Sequence, residues 1–340
     1  MSCRVLIAGS SPRLATWARA LFEQPGLIAA APPCDLRSIF ANARSSNPDV
    51  VVVEFAGGEE PFHAVSQLMA DWPTPILALH SKEDLSEVPS RALSLGALDL
   101  VEVPEAPTSA FWNDLVKRLK LLSRVRVVRH LGTPDRRAIG PGHVPSAEVS
   151  KPPFPLVAIA ASLGGPKALH ALLCALPASF PAAVCICQHI TEGFSSSLAH
   201  WLTSETGRVV EEAADDQPMV PGEILIAPTG FHLRVSPEGR TQLDLRAPQM
   251  GFRPSCDILL TSVAEAFRER ACGVILTGMG RDGAEGLLAI RRCGGFTVAQ
   301  DQATSIVFGM PAAAIELGAA DQVLPLDKIA VALTERLARS

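Results

Sequence analysis

The stretch "PLVAIAASLGGPKALHALL", residues 155–173, decides the fold of the second half of this 340-residue chain. A continuous run of small apolar residues ends at Ser162, and two glycines, a proline and a helix-like pattern follow it. Glycine tolerates the backbone angles of a sharp turn, and proline suits the first turn of a helix. The pattern therefore predicts a buried strand, a tight turn and a helix, which is one unit of a parallel α/β sheet.

The turn at Ser162 has three interpretations on pattern alone. The serine is a nucleophile, the loop cradles a phosphate, or the turn is a structural corner. The stretch "ASLGGP" lacks the first glycine of the G-x-S-x-G elbow of α/β-hydrolases, and Lys167 has the wrong spacing for a P-loop. The GxGxxG pattern of a nucleotide-binding Rossmann module is also absent, so the turn by itself leaves the three interpretations open.

The chain is predicted to contain two α/β halves, because apolar strand-like runs alternate with amphipathic helical patterns on both sides of a break. The break is rich in proline, glycine and polar residues without a period. We therefore expect one domain over residues 1–130, a linker over 131–153 and a second domain over 154–340. Each is predicted to be a doubly wound parallel sheet, flavodoxin-like in the first half and Rossmann-like in the second. "GEILIAPTGFHLRV" and "TQLDLRA" are expected to pair as a small β-hairpin insert.

The composition argues against several classes of protein. The net charge is −5 with scattered basic residues, so nucleic acid is not expected as a partner. Neither a run of about 20 apolar residues nor a signal-peptide pattern is found, so we expect a cytoplasmic protein that does not insert into a membrane. The eight cysteines form no CxxC pair and lie mostly in apolar runs, so buried reduced thiols are expected, with no metal site and no cofactor.

Three apolar runs of the second half are followed by polar residues: Ser162, His189 and Asp282. The carboxyl ends of parallel strands meet at one edge of a sheet, so these side chains can come together. They are the residue types of a nucleophile, its base and the acceptor that orients the base. On pattern alone a histidine such as His189 is more often a satisfied core or strand-end residue than a base, and Asp282 is equally a helix N-cap.

The second half resembles the catalytic domain of the CheB-type chemotaxis protein-glutamate methylesterases along nearly its whole length. The resemblance is carried by "ASLGGPKAL", "QHITEGFSSSLAHWL", "PGEILIAPTGFHLRV", "RPSCDILLTSVA" and the long block "GVILTGMGRDGAEGLLAIRRCGGFTVAQDQATSIVFGMPAAAIELGAA". It implies that Ser162 is the nucleophile, His189 the general base and Asp282 its orienting carboxylate. Backbone N–H groups are expected to stabilise the oxyanion, with the support drawn from Leu163, Met279 and Gly280.

The implied reaction is hydrolysis of glutamate γ-methyl esters to glutamate and methanol. The implied substrate is a helical cytoplasmic segment of a methylated chemoreceptor-type protein. Family members also deamidate certain glutamines by the same acyl chemistry, which we expect here only as a side activity. This sequence departs from the family pattern at three places, which concern substrate positioning rather than the reaction. Leu163 stands where many relatives have threonine, Ile190-Thr191 replaces the usual Met-Pro, and Gln302 stands where an acidic residue is common.

In this family the first half is a phosphorylation-receiving domain, and its strand and helix pattern agrees. A working receiver needs an acidic pair, an aspartate, a hydroxyl residue and a lysine at fixed strand ends. The residues at these positions are Gly9 and Ser10, Glu54, His80 and Val103, respectively. Since the Mg²⁺ ligands are missing together with the phosphoacceptor, we expect a receiver-like domain that is not phosphorylated.

Two roles remain for such a domain. Glu54 mimics a phosphoaspartate, or the domain is a docking or inhibitory surface for a protein regulator. The residues that read a phosphoryl group are absent, so the second role is expected. The alternative for the whole chain is a non-catalytic signalling scaffold, which a serine-reactive probe distinguishes from an esterase.

Overall fold

The computed structural model describes residues 2–81, 88–125 and 154–338. They divide into two compact units, one within Met1–Pro134 and the other within Asp135–Ser340. The linker expected over 131–153 lies outside the described residues. In the described ranges, no helix is long and apolar enough to cross a membrane.

The first unit alternates strands and helices: β1 (Cys3–Ala8), α1 (Leu14–Phe22), β2 (Leu27–Ala29), α2 (Ile39–Ser46), β3 (Val50–Phe55), α3 (Glu60–Asp71), β4 (Ile76–His80), α4 (Val88–Ser94), β5 (Asp99–Glu102) and α5 (Ser109–Leu122). The strands are parallel in the order β2-β1-β3-β4-β5. This is the flavodoxin-like order of a doubly wound sheet, so the predicted fold class of the first half is confirmed.

The sheet can be predicted from the sequence because its strands β3 and β4 are buried and therefore continuously apolar in most positions. Every residue of both strands is buried, as expected where helices cover both faces of a parallel sheet. The edge strand β2 has only three residues, which is too short for a hydrophobic pattern to reveal. Helix α5 ends at Leu122, and Thr108 caps its start by accepting a hydrogen bond from the Phe111 N–H.

The second unit continues with β6 (Leu156–Ala161), α6 (Gly165–Ala175), β7 (Ala183–Gln188), α7 (Ser195–Thr206), β8 (Val210–Glu212), β9 (Ile224–Ile226), β10 (His232–Val235), β11 (Thr241–Asp244), α8 (Cys256–Phe267), β12 (Ala271–Ile275), α9 (Ala284–Arg292), β13 (Phe296–Gln300), α10 (Met310–Glu316), β14 (Gln322–Leu324) and α11 (Leu326–Ala338). Seven parallel strands form one described sheet, in the order β14-β13-β12-β6-β7-β9-β8. The doubly wound sheet predicted for this half is therefore confirmed.

The hairpin insert was predicted only in part correctly. Strands β10 and β11 pair antiparallel, as expected. Strand β9, the "ILI" of the same predicted segment, instead lies in the large sheet between β7 and β8. All three of its residues are buried, so it is a short core strand, whereas a hairpin exposed on one face shows alternation.

The central strand β6 shows how the opening sequence run builds the core. Leu156, Ala158 and Ala160 face one apolar layer, which also contains residues of α8, α9 and α10. The alternate residues Val157, Ile159 and Ala161 face a second layer, against α6, α7 and α11. Because both faces are covered, the run is continuously apolar and the first polar residue, Ser162, marks its carboxyl end.

The eight cysteines are all free. Five are buried, as predicted, but Cys34 and Cys293 are half-buried and Cys174 is exposed. The expectation of buried thiols was therefore wrong for these three. Cys174 lies on the exposed face of the amphipathic helix α6. The sequence around it is apolar on average, so this exposed face is not evident from composition.

Gly9 and Glu54 are packed against each other at the ends of β1 and β3. A Cβ at position 9 would lie 2.7 Å from Glu54 Cβ and would overlap the Glu54 carboxylate. Glu54 is 1% exposed, and its carboxylate accepts hydrogen bonds from the N–H and the hydroxyl of Ser11. The space that a side chain at position 9 would need is therefore filled by Glu54.

We predict that Gly9→Ala destabilises the first unit by about 1–3 kcal/mol, because the added methyl overpacks the Glu54 site. Urea unfolding of the full chain, with hydrogen exchange of the β1 and β3 amides, measures the loss. Ser10→Ala is the matched control, since Ser10 is exposed and should stay within about 0.5 kcal/mol of the parent. Equal stability of the two variants would contradict the packing description.

Candidate active site

Ser162 and His189 directly follow two neighbouring strands. Ala161 of β6 pairs with Gln188 of β7, and the His189 N–H donates to the Ala161 carbonyl at 2.9 Å. Asp282 lies in the loop after β12, which pairs with β6 on its other side. The structure thus brings the ends of three adjacent strands to one edge of the sheet, where parallel α/β sheets hold their ligands.

The backbone of Ser162 is fixed from both sides. Its N–H donates to the Thr277 carbonyl at 3.1 Å, and its carbonyl accepts from the Gly165 N–H at 2.8 Å and from Gln188 Nε2 at 2.7 Å. Gly164 has a φ of 79°, a left-handed conformation that favours glycine. Ser162 is half-buried, and its hydroxyl forms no hydrogen bond with the described residues. The turn therefore holds the serine backbone while its Oγ stays available.

The loop after β12 approaches Ser162 through Gly278. A Cβ at this position would lie 2.8 Å from Ser162 Cβ, so only glycine allows the contact. In the ranges that the structure covers, the backbone N–H groups of Leu163, Met279 and Gly280 donate to no acceptor. These are N–H groups that sequence reasoning named as support for an oxyanion, and they are free to take that role.

His189 is oriented by a hydrogen bond between its Nε2 and Asp282 Oδ2 at 2.8 Å. The two side chains are 5% and 1% exposed. Since a carboxylate accepts, Nε2 carries the proton and the lone pair of the neutral imidazole is on Nδ1. Nδ1 is buried and has no hydrogen-bond partner within the described part of the chain. The geometry thus leaves one nitrogen of His189 as a proton acceptor.

Asp282 accepts four hydrogen bonds. Besides His189, its donors are the Cys256 N–H at 2.8 Å, the Ser255 hydroxyl at 2.9 Å and the Asp257 N–H at 3.0 Å. Three of the four therefore come from the start of α8, where backbone N–H groups favour a negative charge. The carboxylate that orients His189 is itself held by a helix N-terminus.

Asp257 returns this contact. Its Oδ1 accepts hydrogen bonds from the Gly283 N–H at 2.9 Å and the Gly286 N–H at 2.8 Å, at the start of α9. Asp282 thus caps the start of α8 and Asp257 caps the start of α9, so the two helices are held together next to His189. Burial and the neighbouring charge of Asp282 raise the pKa of Asp257 to about 6. Sequence reasoning did not identify this residue.

The pKa values of His189 and Asp282 each reflect competing causes. Burial lowers the pKa of His189, whereas Cys256 and Asp282 raise it above the ordinary 6.5. Burial also raises the pKa of the Cys256 thiol well above 9.0, so this thiol is protonated at neutral pH and Asp282 is the group that supports an imidazolium. Burial would raise the pKa of Asp282 too, but the hydrogen bond and charge of His189 outweigh it and lower that pKa.

Phe252 stacks on the His189 ring, with the ring centroids 3.9 Å apart and the planes only 2° from parallel. It fixes the plane of the imidazole and covers one of its faces. Sequence reasoning missed Phe252, because it lies in a loop 63 positions beyond the histidine and no periodic pattern links the two.

Two cysteines lie next to His189. Cys187 Sγ, Cys256 Sγ and a ring nitrogen of His189 are all within 4.8 Å of one another. The Cys256 Sγ is 3.5 Å from His189 Nε2. Two thiols and an imidazole are ligands that a metal ion of zinc type prefers. The sequence-based expectation of no metal site did not consider this cluster, because its members are separated by up to 69 positions.

The predicted receiver positions lie at the carboxyl edge of the first sheet. Glu54 is the last residue but one of β3 and His80 ends the neighbouring strand β4; both are buried, whereas Ser10 is exposed. Val103 is buried after β5, and its N–H donates to the His80 carbonyl at 2.8 Å. No carboxylate stands beside Glu54 at positions 9 and 10.

The chain matches a family model described as CheB methylesterase over residues 157–333. It is 46% identical over 337 residues to the protein-glutamate methylesterase FrzG of Myxococcus xanthus, covering 98% of each chain. It is 45% identical over 337 residues to a protein-glutamate methylesterase/protein-glutamine glutaminase of Anaeromyxobacter dehalogenans, covering 98% of this chain and 96% of the other.

Among solved structures, the catalytic domain of the Thermotoga maritima CheB methylesterase superposes with a TM-score of 0.52 at 40% identity. The match covers 54% of this chain and 98% of that domain. The fold and the site thus define an enzyme of the carboxylic-ester hydrolase class. The chain belongs to the CheB methylesterase family.

We predict that His189 titrates above 6.5 in an NMR pH titration, and that Asp282→Asn lowers its midpoint by roughly one unit or more. The carboxylate stabilises the imidazolium, so removing its charge favours the neutral ring. His189→Gln assigns the resonance. Asp257→Asn is the matched control: it removes the other capping carboxylate, which does not touch His189, and should shift the midpoint less. An unchanged midpoint in Asp282→Asn would refute the assigned cause.

Proposed function

We propose that this chain is a protein-glutamate methylesterase, which hydrolyses glutamate γ-methyl esters on a chemoreceptor-type protein to glutamate and methanol. The relatives named above carry this activity in their names. The observation that carries the proposal is the buried His189–Asp282 pair, which leaves Nδ1 without a partner next to the strand that ends at Ser162. In a chemotaxis-like pathway this reaction resets the methylation of the receptor.

The acylation step uses Ser162 as the nucleophile. Its Oγ attacks the γ-carbonyl carbon while its proton moves to His189 Nδ1, and the carbonyl oxygen becomes an oxyanion. The positive charge that forms on His189 lies against the Asp282 carboxylate. Collapse of the tetrahedral intermediate breaks the bond to the methoxy oxygen, which takes the proton from Nδ1 and leaves as methanol.

The oxyanion is stabilised by backbone N–H groups, for which Leu163, Met279 and Gly280 are the candidates. Their N–H groups have no acceptor among the described residues, and Gly278 lets the loop that bears two of them approach Ser162. Fixed donors of this kind need no reorganisation during the reaction, and each is typically worth about 10²–10³ in rate.

Deacylation repeats the proton transfers with water. His189 Nδ1 takes a proton from water, the hydroxide attacks the acyl carbon, and the proton returns to Ser162 Oγ as glutamate leaves. Deamidation of a glutamine follows the same route with ammonia as the first leaving group, and we keep it as a side activity. Every proton in this scheme is handled by the chain's own residues, so the proposal includes no cofactor.

We propose a receiver-like domain over 1–130, a linker over 131–153 and a methylesterase domain over 154–340. The division into two compact units supports them. The proposed substrate segment is cytoplasmic, and so is the proposed location of the enzyme. The proposal includes neither a nucleic-acid partner nor membrane insertion.

The first domain is proposed not to be phosphorylated. Glu54 is buried and its carboxylate is engaged by the N–H and hydroxyl of Ser11. An acidic residue at position 9 would collide with it. The same inward contact argues against Glu54 as a mimic of phosphoaspartate. We propose instead that this domain is a docking or inhibitory surface, whose signal is a protein regulator.

We predict that Ser162→Ala lowers methanol release from methylated receptor membranes about 10⁴-fold or more, to the background of the assay. The substitution removes the nucleophile and leaves the turn intact, since Ser162 holds that turn through its backbone. Ser204→Ala, an exposed serine of α7, is the matched control and should retain the parent rate. Substantial turnover by Ser162→Ala would exclude the proposed mechanism.

We predict that the full chain takes up no phosphate from a small-molecule phosphodonor with Mg²⁺, and that Glu54→Asp does not restore uptake. Without acidic residues at positions 9 and 10, an aspartate alone cannot assemble the Mg²⁺ site. Intact-mass spectrometry measures the label, with an ordinary receiver domain treated in parallel. Stable labelling of the first half would overturn this part of the proposal.

A further inference from the structure

We propose that Cys187, Cys256 and His189 form an inhibitory site for a thiophilic divalent metal ion, with zinc as the ion that best fits its ligands. We call these three residues the thiol–histidine cluster. Metal binding by the cluster is independent of the proposed function, whereas inhibition rests on it, because His189 is the proposed base.

The fold places the three side chains together. Cys187 and His189 are two positions apart at the end of β7, so they point to the same side of the sheet. That side faces the apolar layer in which Cys256, the first residue of α8, is fully buried. The Cys256 thiol also contacts the Cys187 carbonyl at 3.6 Å. The cluster is therefore built by the strand and the helix, not by an exposed loop.

The spacing agrees with tetrahedral coordination. With a Zn–S bond of about 2.3 Å and a Zn–N bond of about 2.0 Å, ligating sulfur and nitrogen atoms lie about 3.5 Å apart. Cys256 Sγ and His189 Nε2 are 3.5 Å apart, and all three ligand atoms lie within 4.8 Å of one another. An ion can thus be reached by all three atoms after small side-chain adjustments.

The donor set selects the class of ion. Two thiolates and an imidazole suit zinc and similar ions such as cobalt and cadmium, whereas Mg²⁺ and Ca²⁺ require oxygen ligands. The fourth position is open to water or to Asp282 Oδ2, which lies 2.8 Å from His189 Nε2.

Binding of the ion disables the base by moving a proton. Each thiol loses its proton to solvent on forming its metal–sulfur bond, so two protons are released. His189 Nε2 must present its lone pair to the ion, and the proton of the neutral ring then sits on Nδ1. That nitrogen can no longer accept the proton of Ser162, and the hydrogen bond to Asp282 is lost as well.

Two other cysteines of the same unit provide controls. Cys185 is also buried on β7 and faces the same layer, but its thiol contacts the Met219 thioether at 3.8 Å and it is not a member of the thiol–histidine cluster. Cys174 is exposed on α6 with its thiol 3.6 Å from His170 Nε2, so it is the most accessible competing site. All metal experiments should therefore use a Cys174→Ser background.

The test is a titration of the reduced, full-length Cys174→Ser protein with Co²⁺. We expect one equivalent to bind with thiolate-to-cobalt charge-transfer absorption and the intense d–d bands of tetrahedral cobalt, and Zn²⁺ to displace it. Cys187→Ala and Cys256→Ala should each weaken binding by about tenfold or more. Cys185→Ala should bind as its parent does.

Spectra without charge-transfer bands, or unchanged in Cys187→Ala and Cys256→Ala, would overturn the proposal. In a second arm, methanol release is measured with and without Zn²⁺, each variant being compared with its own metal-free rate. Inhibition should weaken in Cys187→Ala by the same factor as binding. A parent that binds Co²⁺ as expected but releases no methanol at all would refute the proposed esterase function and leave the metal site standing.

Discussion

The site depends on the hydrogen bonds that the buried Asp282 carboxylate accepts. Burying a charge is costly unless hydrogen bonds compensate it, and here three donors at the start of α8 and the His189 ring do so. Because its other partners are part of a helix N-terminus, the carboxylate cannot turn without disturbing α8. The orientation of His189, and with it the identity of the free nitrogen, follows from this one anchor.

The same arrangement explains which parts of the site sequence could predict. The strand before Ser162 is continuously apolar because both of its faces are covered, so its carboxyl end is visible in the sequence. The ends of adjacent parallel strands must meet, which brings Ser162, His189 and Asp282 to one edge. Phe252 and Asp257 were missed because they reach the site by a loop and a helix start, and no local period encodes such contacts. Strand β9 was assigned to the hairpin because three residues are too few to show alternation.

The first unit illustrates the opposite limit of sequence reasoning. The residues at the positions picked out by the resemblance to a receiver can be read directly from the sequence: Gly9, Ser10, Glu54, His80 and Val103. The sequence does not show that Glu54 turns inward to Ser11 and thereby fills the space of a side chain at position 9. Only the three-dimensional structure shows this contact.

In the proposed mechanism His189, held by Asp282, activates Ser162. The most direct measurement is the rate and position of labelling by a fluorophosphonate probe, identified by peptide mass spectrometry on the full chain. We expect one equivalent on Ser162, with a much slower rate in His189→Ala and in Asp282→Ala. Labelling at another residue, no labelling of the parent, or a rate that survives loss of His189 would contradict the account.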